Sequence, residues 1–354
     1  MRAIEIQTSS SRYQALVGPG LIKTVGASVA HVLAPGRCAV VADDKTAPLF
    51  AEAVMRSLRD NGSEPTLIEV PAGEGAKSLE QLAGVCDEMA AVKLDRASFV
   101  VALGGGVIGD LAGFAAAIYH RGIPHVQMPT TLLAQVDSSI GGKTAVNTRA
   151  GKNLLGAVHQ PALVVADVQT LRTLPAREFN QGFAEIIKHA IVADPSIFVL
   201  LDDLDRNDLT ELVARNIEVK AAIVAADERD DSGRRAILNF GHTVGHAIEL
   251  AAGYGTMLHG EAVSLGIVAA CDISVRKAGL PEAQRKEAVA ALQACGLPVQ
   301  LPPGFPREGI LPALAADKKF ERGEVRFVLT SGFGSARLTS DVTLDDIRGA
   351  IAQL

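Results

Sequence analysis

Tryptophan is absent from the 354-residue chain, aromatic residues make up 4% of it, and its four cysteines, Cys38, Cys86, Cys271 and Cys295, form no CxxC pair. Such spacing argues against a cysteine zinc site or a disulfide framework and predicts reduced thiols in the core. No run of about 18 apolar residues suggests a membrane span, and the N-terminus lacks the apolar core of a signal peptide. The net charge of −6 opposes general nucleic-acid binding. We therefore expect a cytoplasmic protein with no membrane or nucleic-acid partner.

The composition that is present is that of a globular protein, with 48% hydrophobic and 21% charged residues. At about 150 residues per domain, the length suggests two domains. The first half alternates amphipathic stretches with short apolar runs, which are "CAVVAD" (38–43), "TLIEV" (66–70), "SFVVAL" (98–103), "HVQMP" (125–129) and "ALVVAD" (162–167). This alternation predicts an α/β domain with a mostly parallel sheet over residues 1–174.

From about residue 175 the apolar residues recur three and four positions apart, which is the helical period. Helices are predicted in "REFNQGFAEIIKHAIV", "LTELVARNIEVKAAIVAADE", "HTVGHAIELAA" and "GEAVSLGIVAACDISVRKAG". Near the C-terminus, "VRFVLTSGFGSARLT" (325–339) suggests a small hairpin before a last helix. Residues 175–354 are therefore predicted to form a second, helical domain.

A glycine-rich loop, "VVALGGGVIGD" (100–110), directly follows a buried strand and precedes an apolar helix. Glycines in this position let backbone N–H groups approach a pyrophosphate at the helix N-terminus. The usual dinucleotide fingerprint has an acid about 20 residues further on, whereas here the first acidic strand end is Asp43, far upstream. The alternative that this loop is only a tight strand–helix turn, with no ligand, therefore remains. A second glycine loop, "PTTLLAQVDSSIGGKTAVN" (129–147), adds hydroxyls, an acid and a lysine, as a phosphate or ribose pocket would.

Histidines are concentrated around "NFGHTVGHAIE" (239–249), where His242 and His246 are four residues apart and therefore share one helical face. A catalytic zinc site needs three protein ligands, and His259 and Glu185 are further candidates. From the residues alone, both histidines of the pair could be ligands, one could be a ligand beside a catalytic partner, or both could be core residues. Five cationic residues are candidates for binding an anion, although each could instead be a solvated surface residue. They are Lys143, Lys152, Lys188, Lys220 and Arg235. Lys188 and Lys220 lie in apolar helix faces, where an unpaired ammonium is costly.

Several strings in order, among them "GGGVIGD", "PTTLLAQVDSSIGGKTAVN", "LNFGHTVGHAIE", "LHGEAV" and "DKK", resemble the 3-dehydroquinate synthase family of sugar-phosphate cyclases. The resemblance implies a dehydroquinate synthase-like fold, with a Rossmann-like NAD-binding domain at 1–174 and an all-α metal-binding domain at 175–354. It implies a lyase of the shikimate pathway that uses NAD catalytically with Zn²⁺ or Co²⁺. The implied substrate is 3-deoxy-D-arabino-heptulosonate 7-phosphate, and the implied products are 3-dehydroquinate and phosphate.

The resemblance also implies roles for individual residues. The metal ligands would be Glu185, His242 and His259, while His246 would face the substrate. NAD would contact Asp43, Glu74, Lys77, Gly105, Gly106, Val107, Asp110, Thr130, Thr131, Lys143, Lys152, Thr170 and Thr173. The substrate would contact Arg121, Lys143, Lys152, Asn153, Lys220, Arg235, Asn239, His246 and one lysine of "DKK", Lys318 or Lys319. The catalytic set would be His246, Lys143, Lys188, Asp137 and Asn239.

Two of these assignments carry further expectations. Arg235 is preferred to Arg234 because it lies four residues before Asn239. An arginine at the position of Arg121 reaches into the neighbouring subunit's site in this family, which implies a homodimer.

Three other functions compete with this reading. A metal-dependent alcohol dehydrogenase of the glycerol dehydrogenase type has small uncharged substrates and no use for the cluster of lysines and arginine. Another cyclase, acting on sedoheptulose 7-phosphate or glucose 6-phosphate, would differ around "GGKTAVN" and around the arginine–asparagine pair. A binding protein that kept the fold would be expected to have lost ligands, yet every expected position is filled.

Overall fold

The computed structural model describes residues 1–202, 204–253, 255–315, 320–321 and 324–354. These residues form two compact units, one of Met1–Leu174 with Asp205–Ala225 and one of Pro175–Leu204 with Ala226–Leu354. Lys318 and Lys319, one of which was expected to contact the substrate, lie outside the described residues.

Strands occur in the first half of the described chain and again near its C-terminal end, and helices occur throughout. The strands are β1 (Arg2–Gln7), β2 (Arg12–Gly18), β3 (Arg37–Asp43), β4 (Glu64–Val70), β5 (Phe99–Gly104), β6 (His125–Pro129), β7 (Lys143–Thr148), β8 (Gly151–Val158), β9 (Leu163–Asp167), β10 (Phe320–Glu321), β11 (Glu324–Val325), β12 (Phe327–Thr330) and β13 (Ala336–Thr339). The α-helices are α1 (Val25–Val32), α2 (Ala47–Asp60), α3 (Leu79–Ala91), α4 (Gly106–Ile118), α5 (Ala176–Asn180), α6 (Gly182–Val192), α7 (Ser196–Asp202), α8 (Thr210–Ala226), α9 (His242–Ala252), α10 (His259–Ala278), α11 (Glu282–Ala294), α12 (Ile310–Ala315) and α13 (Leu344–Ile351).

The first unit is built on a seven-stranded sheet in the order β1-β2-β9-β6-β5-β3-β4. Only β1 pairs with its neighbour β2 in antiparallel fashion, and every other pairing in this sheet is parallel. The mostly parallel sheet predicted from the five apolar runs is therefore confirmed. Strands β7 and β8 form a separate antiparallel hairpin.

The central strands are continuously apolar because helices cover both faces of the sheet. Along β5, Phe99, Val101 and Leu103 pack into a core with residues of α1 and α2. The alternate residues Val100 and Ala102 pack into a second core with residues of α3 and α4. Side chains on a strand alternate between faces, so one apolar run supplies both cores.

Helix α8 has the helical period that the sequence predicted, but its residues up to Ala225 are grouped with the first unit, and not with residues 175–354. Its polar side chains explain this grouping. Arg2 donates to Glu218 (2.9 Å), and the Nζ atom of Lys220 lies 2.7 Å from the Asp137 carboxylate. Periodicity predicts that a helix forms and which face is apolar, but it does not identify the surface on which the helix packs.

The second unit is mainly helical, with α10 as its longest helix. Strands β12 and β13 form the antiparallel hairpin predicted at 325–339, and α13 is the predicted last helix. Among the described residues, no helix is long and apolar enough to cross a membrane. All four cysteines are free thiols, as predicted, and burial raises the pKa of Cys38 and of Cys271 to about 12.

One buried side chain makes the stability of the first unit depend on pH. The ring of His125, in β6, stacks on that of His159 with centroids 5.0 Å apart, and neither His125 nitrogen has a hydrogen-bond partner among the described residues. Burial, with a smaller contribution from His159, lowers the pKa of His125 from 6.5 to about 3. The unfolded chain therefore takes up a proton more readily than the folded chain at mildly acidic pH.

We expect the stabilisation to be present above pH 6.5 and to be lost as the pH falls from 6.5 toward 3. Between pH 7 and pH 5 this residue alone should lower the free energy of unfolding by about 2 kcal/mol. Urea unfolding of the wild type and of His125→Phe at several pH values measures the difference, because phenylalanine keeps the ring without the titrating nitrogens. Parallel pH dependences for the two proteins would contradict this expectation.

Candidate active site

The carboxyl edge of the parallel sheet brings together residues that are distant in sequence. Strand β4 lies on one side of β3 and β5 on the other, so the chain reverses its direction of winding at the carboxyl ends of β3 and β5. Ligands of open α/β sheets bind at this kind of switch point. Asp43 ends β3 and Gly104 ends β5, and the register pairs Ala42 with Leu103 just before them. The acid that looked too far upstream is therefore a neighbour of the glycine loop.

The glycine loop leads directly into α4, with Gly105 as the N-cap and Gly106 and Val107 as the first helical residues. A Cβ atom on Gly105 would lie 3.1 Å from Thr131, and one on Gly106 would lie 3.0 Å from the Ser138 hydroxyl. Glycine thus lets the start of this 13-residue helix pack closely against Thr131 and Ser138. This arrangement suits an anion such as a pyrophosphate.

Threonines line the same edge, beyond the ends of β6 and β9. Thr130 and Thr131 directly follow β6, and the Thr170 hydroxyl donates to the carbonyl of Asp167, the last residue of β9 (2.7 Å). The hydroxyl of Thr173 donates in turn to the Thr170 carbonyl (2.8 Å). Four of the expected nucleotide contacts therefore lie at the edge that carries the glycine loop.

A buried lysine joins two further expected site residues. The side chain of Lys77 is only 5% exposed, and its Nζ donates to Asp110 and to the side-chain oxygen of Asn153, both at 2.6 Å. Burial raises the pKa of Asp110, and the Lys77 ammonium opposes that rise. Glu74, three residues before Lys77, accepts from the side chain of Asn147 (2.8 Å).

Other predicted cations of the first unit lie on separate elements. Lys220, on α8, donates to the Asp137 carbonyl (2.6 Å) and pairs with its carboxylate. Lys143 is exposed at the start of β7, and Lys152 is half-buried in β8. Arg121 is exposed beyond the C-terminal end of α4, at a backbone φ of +70°. The length of α4 puts Arg121 about 20 Å from the glycine loop at the other end of the helix.

The second unit contains a group of three potential metal ligands. Donor atoms of Glu185, His242 and His259 all lie within 4.8 Å of one another. The Nε2 atoms of the two histidines are 3.3 Å and 3.2 Å from the same oxygen of Glu185. One carboxylate and two imidazoles are a common zinc set, and a fourth position stays open for water or substrate.

Contacts behind the two imidazoles orient them toward Glu185. The Nδ1 of His242 donates to the carbonyl of Phe240 (3.2 Å), which leaves Nε2 with a free lone pair. The Nδ1 of His259 lies 3.7 Å from the Glu249 carboxylate. Metal-binding histidines commonly have such a partner on the second nitrogen, and the residues present therefore fit a divalent metal ion.

Close backbone packing brings the three donors together. Gly241 has a φ of +78° directly before α9, a conformation that other residues adopt at a cost. A Cβ on Gly266 of α10 would lie 1.9 Å from the Gly241 carbonyl oxygen, and one on Gly260 would lie 2.1 Å from that of Gln181, directly before α6. The glycines beside the histidines therefore allow α9 and α10 to pack closely.

The charges in this group favour an ionised carboxylate. Glu185 has no exposed surface, and burial alone would raise its pKa, but Lys188 and His242 hold the pKa well below its usual value. The ammonium of Lys188 forms an ion pair with Glu185. Burial lowers the pKa of His242, whereas Glu185 and Glu249 outweigh burial at His259 and raise its pKa to about 9. The site is thus a buried carboxylate surrounded by cationic or neutral nitrogen donors.

His246 lies beside this group and not within it. Its ring centroid is 5.3 Å from that of His242 and 6.0 Å from that of His259, and the residue is half-buried. The three-donor group contains His242 instead. This geometry supports a division of roles between the two histidines of one helical face.

The preference for Arg235 over Arg234 as a substrate contact stays a prediction, and the two residues differ in burial. Arg235 is buried, its guanidinium donates to the Glu228 carbonyl (2.9 Å), and its backbone N–H donates to Asp227. Arg234 is exposed. Asn239, the other member of the predicted pair, is half-buried at the end of the short 3₁₀ helix Arg235–Asn239.

Sequence reasoning missed two residues of these networks. Glu249 lies seven positions after His242 and three after His246, a spacing that puts all three on one helical face and could have revealed it. Asn147 was read only as part of a glycine loop, and no spacing signal connects it to Glu74.

The fold is that of the dehydroquinate synthase-like proteins. A crystal structure of 2-deoxy-scyllo-inosose synthase complexed with carbaglucose-6-phosphate, NAD⁺ and Co²⁺ superposes with a TM-score of 0.90 at 26% identity, covering 99% of this chain and 100% of that one. The structure of 2-epi-5-epi-valiolone synthase from Streptomyces hygroscopicus, with NAD⁺ and Zn²⁺ bound, gives 0.86 at 31% identity, covering 100% and 99%.

Sequence comparison identifies the family within this class of fold. The family models for the N-terminal and C-terminal parts of 3-dehydroquinate synthase match residues 67–181 and 182–320. The 3-dehydroquinate synthase of Pelobacter propionicus is 46% identical over 341 residues, 94% of each chain. The chain belongs to the 3-dehydroquinate synthase family, as the resemblance of its motifs predicted.

Proposed function

We propose that the chain is a 3-dehydroquinate synthase, a lyase that converts 3-deoxy-D-arabino-heptulosonate 7-phosphate to 3-dehydroquinate and phosphate in the shikimate pathway. The observation that carries the proposal is the group of Glu185, His242 and His259, whose donor atoms lie within 4.8 Å of one another in a member of this family. The cofactors are NAD, which leaves the reaction in the oxidation state in which it entered, and Zn²⁺ or Co²⁺.

The residues present fit both cofactors. Glu185, His242 and His259 would hold the metal ion, and the glycine loop, Asp43 and the threonines at the sheet edge would hold NAD. When bound, NAD would supply a hydride acceptor, and the metal ion would lower the pKa of the hydroxyl that is oxidised. The ketone formed makes the neighbouring C–H acidic, so that phosphate can leave by β-elimination before the hydride returns to the substrate.

The chain's own cations suit a substrate with two anionic groups. Lys143, Lys152, Lys220 and Arg235 would bind its carboxylate and phosphate, with Asn239 and one of Lys318 and Lys319 as further contacts. His246 would donate to the phosphate or move a proton, since an imidazole does both near neutral pH. Lys188 and Asp137 complete the proposed catalytic set.

The rival functions make less use of these residues. A glycerol dehydrogenase-like enzyme has an uncharged substrate, for which four cations would be surplus. A cyclase that acts on sedoheptulose 7-phosphate has no substrate carboxylate to pair with Arg235. We also propose that the protein acts in the cytoplasm as a homodimer to whose sites Arg121 contributes from the neighbouring subunit.

Catalytic use of NAD has a direct test. The purified protein, supplied with the heptulosonate phosphate, Zn²⁺ and NAD far below the substrate concentration, should release phosphate through many turnovers while absorbance from NADH stays near zero. Each turnover consumes and restores NAD, so phosphate should exceed NAD many-fold. Stoichiometric growth of NADH would favour a dehydrogenase. Phosphate release from sedoheptulose 7-phosphate or glucose 6-phosphate, but not from the heptulosonate, would favour a different cyclase.

A further inference from the structure

Asn147, in β7, contacts three residues of the proposed site and has no assigned role. Its side-chain nitrogen donates to Glu74 (2.8 Å), and its side-chain oxygen accepts from the backbone N–H of Asn153 (2.9 Å). Its own backbone N–H donates to the carbonyl of Lys77 (2.7 Å). Two of these bonds connect β7 to the turn at residues 74–77, and the third connects β7 to β8.

These contacts depend on an irregularity in the hairpin. The pairing of β7 with β8 shifts register between Val146 and Thr148, so Asn147 does not take part in the regular ladder. At an irregular position of this kind the backbone groups leave the regular ladder and the side chain takes a different direction from that of a paired residue. Its N–H is therefore available to the Lys77 carbonyl, and its side chain reaches both Glu74 and Asn153.

The contacts close into a ring. Asn147 donates to the Lys77 carbonyl, the Lys77 ammonium donates to the Asn153 side chain, and the Asn153 N–H donates back to Asn147. Asn153 has a φ of +55°, a conformation that few residues other than glycine adopt. Asparagine tolerates this conformation better than most residues do, and the acceptor on Asn147 fixes the direction of the Asn153 N–H within it.

We propose that Asn147 is a positioning residue that couples the nucleotide contacts Glu74 and Lys77 to the substrate contact Asn153. This inference rests on the proposed function, in which Glu74 and Lys77 bind NAD and Asn153 binds the sugar phosphate. Asn147 touches neither ligand in this proposal. It acts by holding the hairpin on the 74–77 turn.

Substitutions separate its two side-chain bonds. Asn147→Ala removes both, so we expect the KM for NAD and the KM for the sugar phosphate each to rise about tenfold, as the loss of one hydrogen bond predicts, with a smaller change in kcat. Asn147→Asp keeps the acceptor for Asn153 but sets a carboxylate against Glu74. It should raise the KM for NAD about tenfold and leave the KM for the sugar phosphate within about twofold of wild type.

A double substitution reverses the polarity of the bond to Glu74. Glu74→Gln alone keeps an acceptor for Asn147 and therefore measures what the Glu74 charge itself contributes to NAD binding. In Asn147→Asp with Glu74→Gln, the new amide can donate to the new carboxylate. The double variant should match Glu74→Gln in its affinity for NADH, measured by the fluorescence of the bound nucleotide. An affinity as weak as the Asn147→Asp value or weaker would refute the bond to Glu74 as the source of the effect.

Hydrogen exchange gives a readout that does not depend on turnover. Amides of the hairpin at 143–158 should exchange about tenfold faster in Asn147→Ala than in the wild type, while the rest of the sheet keeps its protection. The matched control is Asn207→Ala, an exposed asparagine of the same unit whose side chain contacts Asp205. It should leave exchange and both KM values unchanged.

Unchanged hairpin exchange together with unchanged KM values in Asn147→Ala would overturn the proposal. A uniform loss of protection over the whole first unit would also overturn it, because Asn147 would then be a general stability residue. Failure of the proposed function has a different signature. The wild type would release no phosphate from the heptulosonate, whereas hairpin exchange in the same preparations would still decide whether Asn147 holds the hairpin in place.

Discussion

Alanine at His242 should strip the protein of its metal ion, whereas alanine one helical turn away, at His246, should leave the metal bound. His242 shares the Glu185 oxygen with His259 at 3.3 Å and 3.2 Å, and removing one of three ligands leaves too few to hold the ion. The affinity should fall by more than about a hundredfold, the upper range seen when only an outer-shell partner is lost. His259→Ala should behave as His242→Ala does.

Metal content after dialysis, measured beside phosphate release, distinguishes the histidines. His246→Ala should keep its metal and lose much of its turnover, because the imidazole lies next to the ligand group without belonging to it. His31→Ala serves as the control, since His31 is an exposed histidine of the first unit and should change neither quantity. If His246→Ala proves as free of metal as His242→Ala, both histidines are ligands and the division of roles is wrong.

Mixing two inactive variants, Arg121→Ala and His242→Ala, should restore about a quarter of the wild-type activity. Random subunit exchange in a C2 dimer makes about half of the dimers hybrids, and each hybrid would hold one intact site of two. Arg121 is expected to act in the neighbouring subunit because it is exposed and lies at the opposite end of α4 from the glycine loop of its own chain, about 20 Å away. An arginine side chain cannot span that distance, but one from a neighbouring copy could reach the site.

Each variant alone should have almost no turnover, and each should keep the wild-type elution volume in gel filtration. Differently tagged subunits show whether exchange has occurred. Absence of recovered activity in a preparation with proven hybrids would refute the contribution of Arg121 across an interface. Full activity of Arg121→Ala by itself would refute any role for this residue in the site.

Much of the fold could be read from the sequence, because local patterns carry it. The five apolar runs became β3, β4, β5, β6 and β9. Four of these strands are buried almost throughout, because helices cover both faces of the sheet, whereas β4 lies at the edge of the sheet and is only partly buried. The helical period located α6, α8, α9 and α10, and of these α6 is buried at every position. The spread of the cysteines correctly predicted free thiols.

The candidate site could be read only in part, because its members meet through long-range packing. The sequence by itself determined the elements, the family and the kinds of chemistry available. Tertiary structure alone decided that Asp43 adjoins the glycine loop, since strand order, and not distance along the chain, sets which strand ends are neighbours. It likewise decided that α8 joins the first unit and that Asn147 meets Glu74 across 73 positions. The residue pattern of an element predicts which of its faces is buried. Which other element packs on that face depends on how all the elements pack together in the folded chain.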